Sequence, residues 1–450
     1  MESYSENQSK KTKSNLQEDG EDHPRNGMDD LPRDVALDIL SRLPITSLIQ
    51  FRVVSRTWNT LSHDTELVNM HLSRTANRSP YLVLHCDYPL RNELYCVEFS
   101  EHNEEGRVWK IHVPFCGSMP EFNVVGSCNG LLCLSDSLFG DAIFVYNPFT
   151  GNYKELPKSR QYEEQEVIIG FGFHPVINEY KVVKMVYYRN TFIGPWRVRR
   201  FRNYDCPHSE VQVLSLSRDM WRSIGTVPYQ LERRSKAILV NGKLHWLSRA
   251  SRRCGVRGRI IKSFDLADER FSEVPKPDCG GLNKCNYHLA VLGGCLAAAV
   301  RRPCAKYEIW VMKEYNLKES WIKQYSLGDY MARLLNQALQ QSFGIWRNIL
   351  SERLARVLCL LKNGEILVEY RGGTLASYDQ ESGKFKNVMF HGMPNIFRTA
   401  VHIGSLNWID VPIAIIAVWS NPSAGDQFAC MPDEELQGLL NWVDIPIDDR

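Results

Sequence analysis

The first clear pattern of apolar and polar positions lies at residues 29–61 and predicts three short helices. Apolar residues in its first part recur at i, i+4, i+5 and i+8, which is typical of one face of a helix: Val35, Ile39, Leu40 and Leu43. Asp30 is expected to cap this helix and Pro32 to lie just inside it. Pro44 is expected to end it.

The next helices are predicted from polar residues that can act as caps. Thr46 or Ser47 is expected to cap the second helix and Ser55 the third, and a further helix is expected over Asp64–Arg74. Three helices in about 35 residues are too few to bury so many apolar groups in a core of their own. Two interpretations follow: the helices pack against the rest of the chain, or their surplus apolar face docks a partner helix.

From Pro80 onward the pattern changes to short strands separated by clusters of Gly, Asn and Asp. A degenerate repeat of two strands around a polar turn occurs six times, with an aromatic residue near the start of each second strand: Trp109, Tyr153, Trp221, Phe271, Trp321 and Phe385. Tight hairpins with tips such as Asn129-Gly130, Asn241-Gly242 and Gly293-Gly294 supply a second strand pair, because these turns need positive φ. The sequence therefore predicts an α+β multidomain protein, with a β-propeller of about six blades after the helices. The alternative is an irregular sandwich or two separate β domains.

Two insertions interrupt the regular spacing. Residues 187–208 combine aromatic and basic side chains, and residues 330–357 carry leucines at helical spacing. Long loops that leave a rigid β scaffold often carry recognition. The first insertion is therefore predicted to bind a target protein through six residues: Trp196, Arg197, Arg199, Arg200, Phe201 and Arg202. The alternative is a disordered, tolerated insertion.

Composition narrows the class of protein. The chain has 450 residues, 44% hydrophobic and 24% charged, which predicts a soluble protein with two or more units. A net charge of +2 gives no general attraction to nucleic acid or to anionic membranes. The N-terminus has no apolar run typical of a signal peptide, and Leu289–Val300 and Val411–Trp419 are too short to span a bilayer as helices. The 13 cysteines are scattered, which predicts reduced thiols, no metal site, and a location in the cytoplasm and/or nucleus.

Candidate chemistry is sparse. There is no phosphate loop, GxSxG or HExxH motif, and single histidines within β patterns are explained as core or turn residues. No catalytic residue and no cofactor is therefore predicted. The basic stretches 196–202 and 249–259 suggest nucleic-acid binding as an alternative, but a solvated loop or a patch for an acidic protein partner explains them without a nucleic-acid-binding fold.

The helical unit resembles an F-box, the module that binds a Skp-type adaptor. The resemblance rests on the order of Leu31-Pro32, Ile39-Leu40, Leu43-Pro44, Leu48 and the group Val54, Ser55, Arg56 and Trp58. Ser55 stands where many plant F-boxes have cysteine, which is a mild departure. The resemblance implies that nine residues bind the adaptor: Leu31, Pro32, Ile39, Leu40, Leu43, Pro44, Leu48, Val54 and Trp58.

The β region resembles the F-box-associated domain of plant F-box/kelch-type proteins, through CNGLLCL at Cys128–Leu134, YNPFTG at Tyr146–Gly151 and GFGFHPVINEYKVV at Gly170–Val183. The resemblance implies a non-catalytic substrate-recognition subunit of a Skp–cullin–F-box ubiquitin ligase. Its implied partners are the adaptor, through it the cullin and RING subunits, and an unknown target protein. The alternative is a propeller scaffold without ubiquitin transfer.

Four segments are predicted: a disordered tail at 1–27, the F-box at 28–75, the β-propeller at 80–406 and a tail at 407–450. The last segment matches no blade and is interpreted as an acidic helical tail or an unusual splice end. Lys10, Lys11 and Lys13 form a small basic cluster, which is either a nuclear import signal or part of a solvated tail.

Overall fold

The structure is a computed structural model. It describes residues 31–52, 56–75, 78–86, 91–99, 106–138, 141–162, 165–188, 208–232, 236–248, 259–279, 287–302, 307–327, 355–370 and 373–407. The predicted disordered tail at 1–27, the six predicted target-binding residues and nearly all of the predicted tail at 407–450 lie outside these ranges. So do Asp30, Val54, Ser55 and most of the second insertion.

The helices come first along the chain: α1 (Arg33–Ser41), α2 (Ile45–Phe51), α3 (Arg56–Ser62) and α4 (Thr65–Thr75). Pro32 and Pro44 occupy the positions just before α1 and α2, with ψ of 138° and 148°. The predictions that Pro32 lies inside the first helix and that Thr46 or Ser47 caps the second are therefore wrong. Proline explains the difference, because its fixed φ and missing N–H allow an extended residue to lead directly into a helix.

The strands form six four-stranded antiparallel sheets, which confirms the six-bladed propeller. The first blade contains β1 (Tyr81–Cys86), β2 (Leu94–Glu98) and β3 (Arg107–Ile111), the second β4 (Phe122–Cys128), β5 (Leu131–Asp136), β6 (Ile143–Tyr146) and β7 (Tyr153–Glu155), and the third β8 (Glu166–His174), β9 (Glu179–Tyr188), β10 (His208–Ser215) and β11 (Met220–Gly225). The fourth contains β12 (Ile238–Val240), β13 (Lys243–Leu247), β14 (Ile261–Asp265) and β15 (Phe271–Val274), the fifth β16 (Tyr287–Leu292), β17 (Cys295–Arg301), β18 (Tyr307–Met312) and β19 (Trp321–Leu327), and the sixth β20 (Ala355–Leu360), β21 (Ile366–Tyr370), β22 (Thr374–Tyr378) and β23 (Phe385–Val388). The last strand is β24 (Phe397–His402).

Local turn chemistry follows the sequence closely. Asn129 and Gly130 join β4 to β5 with φ of 48° and 83°, and Asn241 and Gly242 join β12 to β13 with φ of 51° and 70°. Each aromatic residue of the predicted repeat lies on the outermost strand of its blade, as Phe271 does on β15. The repeat read from the sequence is therefore the outer hairpin of each blade.

The first blade is built from both ends of the β region. Its innermost strand is β24, which pairs with β1 from Tyr81 opposite His402 to Cys86 opposite Phe397. No closing strand after the last blade was predicted from the sequence. Closure by β24 gives the first blade the inner strand that its own stretch of sequence lacks, and it pairs the edge that β1 would otherwise expose.

The hydrophobic core consists of several apolar clusters that are shared between neighbouring blades. Ile309 of the fifth blade and Val368 of the sixth are both fully buried and belong to one apolar cluster.

We call the end of the ring where innermost strands begin, such as β16 at Tyr287, the upper end. The lower end is the opposite one, where β1 begins and β24 is followed by Gly404. The helices precede β1 and therefore meet the ring at its lower end.

Candidate partner-binding surfaces

Helix α1 has two different apolar faces. Leu37 and Leu40 are buried, whereas Val35 is 43% exposed and Ile39 is 41% exposed. Val35 and Ile39 are one turn apart and so lie on the same side of the helix. An aliphatic pair left in solvent beside a well-packed core is a candidate contact surface for another protein.

The structure divides the nine predicted adaptor-binding residues by exposure. Leu40 and Leu48 are buried in the core, Leu31, Leu43 and Trp58 are half-buried, and Pro32, Ile39 and Pro44 are exposed. Val54 lies outside the described residues. The predicted set omitted Val35, although its spacing four residues before Ile39 was a signal for it.

Ion pairs between α1 and α4 fix the orientation of the exposed face. Arg33 contacts Asp64 at 2.6 Å, at the N-terminal end of α4. Asp38 contacts Arg42 at 3.0 Å and Arg74 at 2.5 Å. These two guanidinium groups, Arg42 first, lower the pKa of the Asp38 carboxyl. Both ends of α1 are therefore held against α4.

His71 and Arg78 satisfy the carbonyl groups at the C-terminal end of α1. The Nε2 atom of His71 lies 3.2 Å from the carbonyl oxygen of Leu43, and Arg78 donates to the same oxygen at 3.0 Å and to the carbonyl of Arg42. Burial lowers the pKa of His71 to about 4, so this imidazole is neutral at pH 7. Because Arg78 is in the segment that leads into β1, it links the helices directly to the ring.

The helical unit also packs on the lower end of the propeller. A Cβ atom added at Gly404 would lie 2.6 Å from Cγ2 of Ile45, and close to the rings of Tyr81 and Phe149. Those two rings contact each other edge to face, with centroids 4.9 Å apart. The interpretation that the helices pack on the β region therefore holds for one face. The Val35–Ile39 face stays exposed, and its docking of a partner stays a prediction.

The upper end carries the predicted target-binding insertion, which joins β9 to β10. Its residues 196–202 lie outside the described ranges, but its flanking residues do not. The ring of Tyr188, the last residue of β9, stacks on Tyr162 at 4.2 Å and lies 5.7 Å from His208, the first residue of β10. The guanidinium of Arg160 lies 5.0 Å from the Tyr162 ring. The insertion thus leaves the sheet from a partly exposed aromatic and basic base.

A central channel with a volume of about 630 Å³ runs inside the ring and is lined mainly by innermost strands. Thr75, Arg78 and Pro80 line its lower part, and Tyr287 and Arg356 line its upper part. Sequence reasoning missed the channel and its charged lining, except that Arg259 fell within a basic stretch. The lining residues are far apart in sequence, so no local pattern marked them.

Several potentially reactive side chains of the described chain are engaged or buried. No group of three or more His, Cys, Asp and Glu side chains there is placed to hold a metal ion. His245 contacts the Ile238 carbonyl at 3.0 Å and the Tyr315 hydroxyl at 2.7 Å, and burial lowers its pKa to about 4. Burial raises the thiol pKa of Cys128 and Cys359 to about 12, which disfavours the thiolate.

Comparison with known families defines the class of protein. Residues 82–402 match the model of the F-box associated beta propeller domain, and residues 28–69 match the F-box domain. The chain belongs to the F-box associated β-propeller family and carries an F-box before its propeller. Among the described helices, none has the length and apolar character needed to cross a membrane.

Individual relatives are F-box proteins of Arabidopsis thaliana. F-box protein At3g07870 is 47% identical, with the match covering 86% of this chain and 94% of the relative. F-box protein CPR1 is 27% identical over 84% of this chain and 88% of its own. F-box/kelch-repeat protein At3g23880 is also 27% identical, over 79% of this chain and 89% of its own.

Proposed function

We propose that this chain is the substrate-recognition subunit of a Skp–cullin–F-box ubiquitin ligase. The observation that carries the proposal is an F-box packed on one end of a propeller with Val35 and Ile39 left exposed. A Skp-type adaptor binds this face and connects the chain to cullin and RING subunits. The propeller holds a target protein, and the gain in rate comes from a raised local concentration of the target rather than from chemistry by this chain.

The arrangement of the two ends supports this division of labour. The F-box meets the ring at the lower end, and the insertion between Tyr188 and His208 leaves it at the upper end. Strands of five to seven residues separate the ends by about 20 Å. An adaptor bound to α1 therefore leaves the upper end free for a target.

Adaptor binding is tested with a Val35→Asp/Ile39→Asp double variant. Both side chains are exposed, so the fold is expected to survive, whereas two charges at an apolar interface should weaken adaptor binding by on the order of 2–4 kcal/mol. The measurement is titration of purified adaptor, with circular dichroism to check folding. Ile322→Asp, at a 51% exposed position on the propeller, is the matched control and should bind normally. Unchanged affinity of the double variant would remove the adaptor assignment.

Ubiquitin transfer is tested separately, because a propeller scaffold could bind the adaptor without it. Purified chain, adaptor, cullin, RING subunit and conjugating enzyme are mixed with captured target candidates. Target ubiquitination that is lost in the Val35→Asp/Ile39→Asp variant supports the receptor function. Adaptor binding without any transfer supports the scaffold.

We place target recognition at the upper end and include the insertion residues 196–202 in it, on the basis of their aromatic and arginine content. Replacing residues 190–206 by a short Gly-Ser turn should leave folding and adaptor binding intact and lengthen the half-life of the target in cells. An unchanged half-life would exclude the insertion from target recognition.

We propose the cytoplasm and/or nucleus as the location, which imaging of a fluorescent fusion tests.

A further inference from the structure

The upper part of the central channel is rich in positive charge. Among the residues that line it are four cations, Lys236, Arg259, Arg301 and Arg356, and one carboxylate, Glu232. All four cations lie at upper strand ends: Arg301 ends β17, Arg356 is the second residue of β20, and the other two closely precede β12 and β14. Four different elements thus deliver cations to one mouth, although the whole chain is nearly neutral.

Only part of this charge is compensated. Arg259 contacts Glu232 at 2.6 Å, and Arg356 contacts Glu369 at 2.8 Å while also donating to the carbonyl of Thr399. Within the part of the chain that the structure describes, Arg301 has no ion-pair partner. The mouth therefore keeps a net positive charge.

Two buried hydroxyl groups also line this channel and lack partners. Tyr287 is 5% exposed and Thr399 is 1% exposed, and neither hydroxyl has a hydrogen-bond partner among the described residues. The Nε atom of Arg356, which lies beside Thr399, is also buried without a partner in those ranges. These buried polar groups lie in the channel wall beside the cations, and the cations themselves supply the contacts for an anion.

We propose that the upper mouth of the channel is an anion-binding site for an acidic side chain of the target protein, either a carboxylate or a phosphorylated residue. The inference rests on the proposed function, because it names the chemistry that the receptor recognises. Arginine pairs well with both groups. A channel of about 630 Å³ admits side chains of a peptide segment, and cations grouped at one mouth do not form the open track that a nucleic-acid backbone needs.

The direct test uses the full chain and three fluorescent peptides of equal length. One peptide carries glutamate at regular positions in a Gly-Ser background, the second phosphoserine and the third glutamine. In fluorescence polarisation, an acidic peptide should bind at least about tenfold more tightly than the glutamine peptide. The stronger acidic peptide identifies carboxylate or phosphate as the preferred group. Equal binding of the glutamine peptide would overturn the proposal.

Variants locate the site. Arg301→Glu should reduce affinity for the acidic peptide by more than about tenfold, and Arg301→Lys should retain part of it. Lys318→Glu is the matched control, because it makes the same charge change on an exposed turn of the same blade at the lower end. It should change affinity by less than about twofold.

Arg301→Gln removes the charge without reversing it, so it serves if Arg301→Glu does not fold. It should lower affinity for the acidic peptide several-fold. Wild-type affinity in folded Arg301→Glu and Arg301→Gln proteins would overturn the site.

Two further readouts separate the possible failures. Each variant is also titrated with adaptor. Normal adaptor binding with unchanged peptide affinity overturns only the channel site, whereas no adaptor binding by the unmodified chain overturns the proposed function.

Residues 408–450 contain eight acidic residues and one basic residue. If neutralising Asp433, Glu434 and Glu435 in the full chain raises peptide affinity about tenfold or more, the mouth is occupied by this chain's own acidic segment, and the assignment to the target is overturned.

Discussion

The two ends of the propeller differ in the groups that their surfaces contact. At the lower end, Ile45 of the F-box packs on Gly404, Tyr81 and Phe149, and Arg78 donates to the last carbonyls of α1. At the upper end, cations from three neighbouring blades line the channel mouth, and aromatic rings flank an insertion. One end consists of contacts within the chain, whereas the other leaves charged and aromatic groups available to a partner.

This difference shows how two similar ends of a repeated β scaffold can have different roles. The lower end fixes the F-box by close packing, so changes there should appear mainly as changes in stability. The upper end depends on charge, so changes there should appear mainly as changes in binding that respond to salt. The buried amide of Asn147 adds to the lower end, because it donates to the carbonyls of Ser405 at 3.0 Å and Asn407 at 2.9 Å.

Among the changes considered, one in the closing strand β24 should have the largest effect on stability. Phe397 begins β24 and is buried between the first and sixth blades, so Phe397→Ala removes a ring from the closing strand. The expected loss is about 3–5 kcal/mol in the free energy of unfolding, measured in guanidinium chloride. Ile396→Ala, at a 39% exposed neighbour, should cost less than about 1 kcal/mol. Equal effects would argue against closure by β24.

The lower end should also be sensitive to acid. Because the folded-state pKa of His71 is about 4, the unfolded chain binds a proton below pH 6.5 while the folded chain does not. Stability should therefore fall as the pH drops from 6.5 towards 4, by about 2 kcal/mol at pH 5 for this residue. His71→Gln should reduce the difference in unfolding free energy between pH 7.5 and pH 5. The same pH difference in the unmodified protein and in the variant would contradict this account.

A bulkier residue at the F-box interface should destabilise the fold less than the loss of the Phe397 ring. Gly404→Val places atoms within contact distance of Ile45 and Tyr81, and the resulting overpacking should cost about 1–3 kcal/mol. The measurement is the thermal unfolding midpoint together with acidic-peptide binding, which should stay unchanged because the upper end is remote. Gly117→Val, where no atom lies within 4 Å of the added Cβ, is the control. A midpoint equal to that of the control would show that the F-box does not pack tightly on the ring.

Local features of the fold could be predicted because they depend on short-range chemistry. The Asn-Gly and Gly-Gly turns have the positive φ that their composition indicates, and the aromatic positions mark each outer hairpin. The helical spacing of Val35, Ile39 and Leu40 also predicted α1. It did not reveal that Leu40 is buried and the other two exposed, because spacing does not say which neighbour covers each face.

By itself, the sequence determined the local elements, the repeat and the family of this protein, since turns, periodicity and motif order are properties of neighbouring residues. Only the tertiary structure decided that β24 completes the first blade, that Ile45 meets Gly404, and that Arg259, Arg301 and Arg356 share one channel mouth. The physical reason is ring closure. Closure brings the two ends of a long β region together and arranges the inner strands of successive blades around a common axis. Positions that are distant in sequence therefore become neighbours.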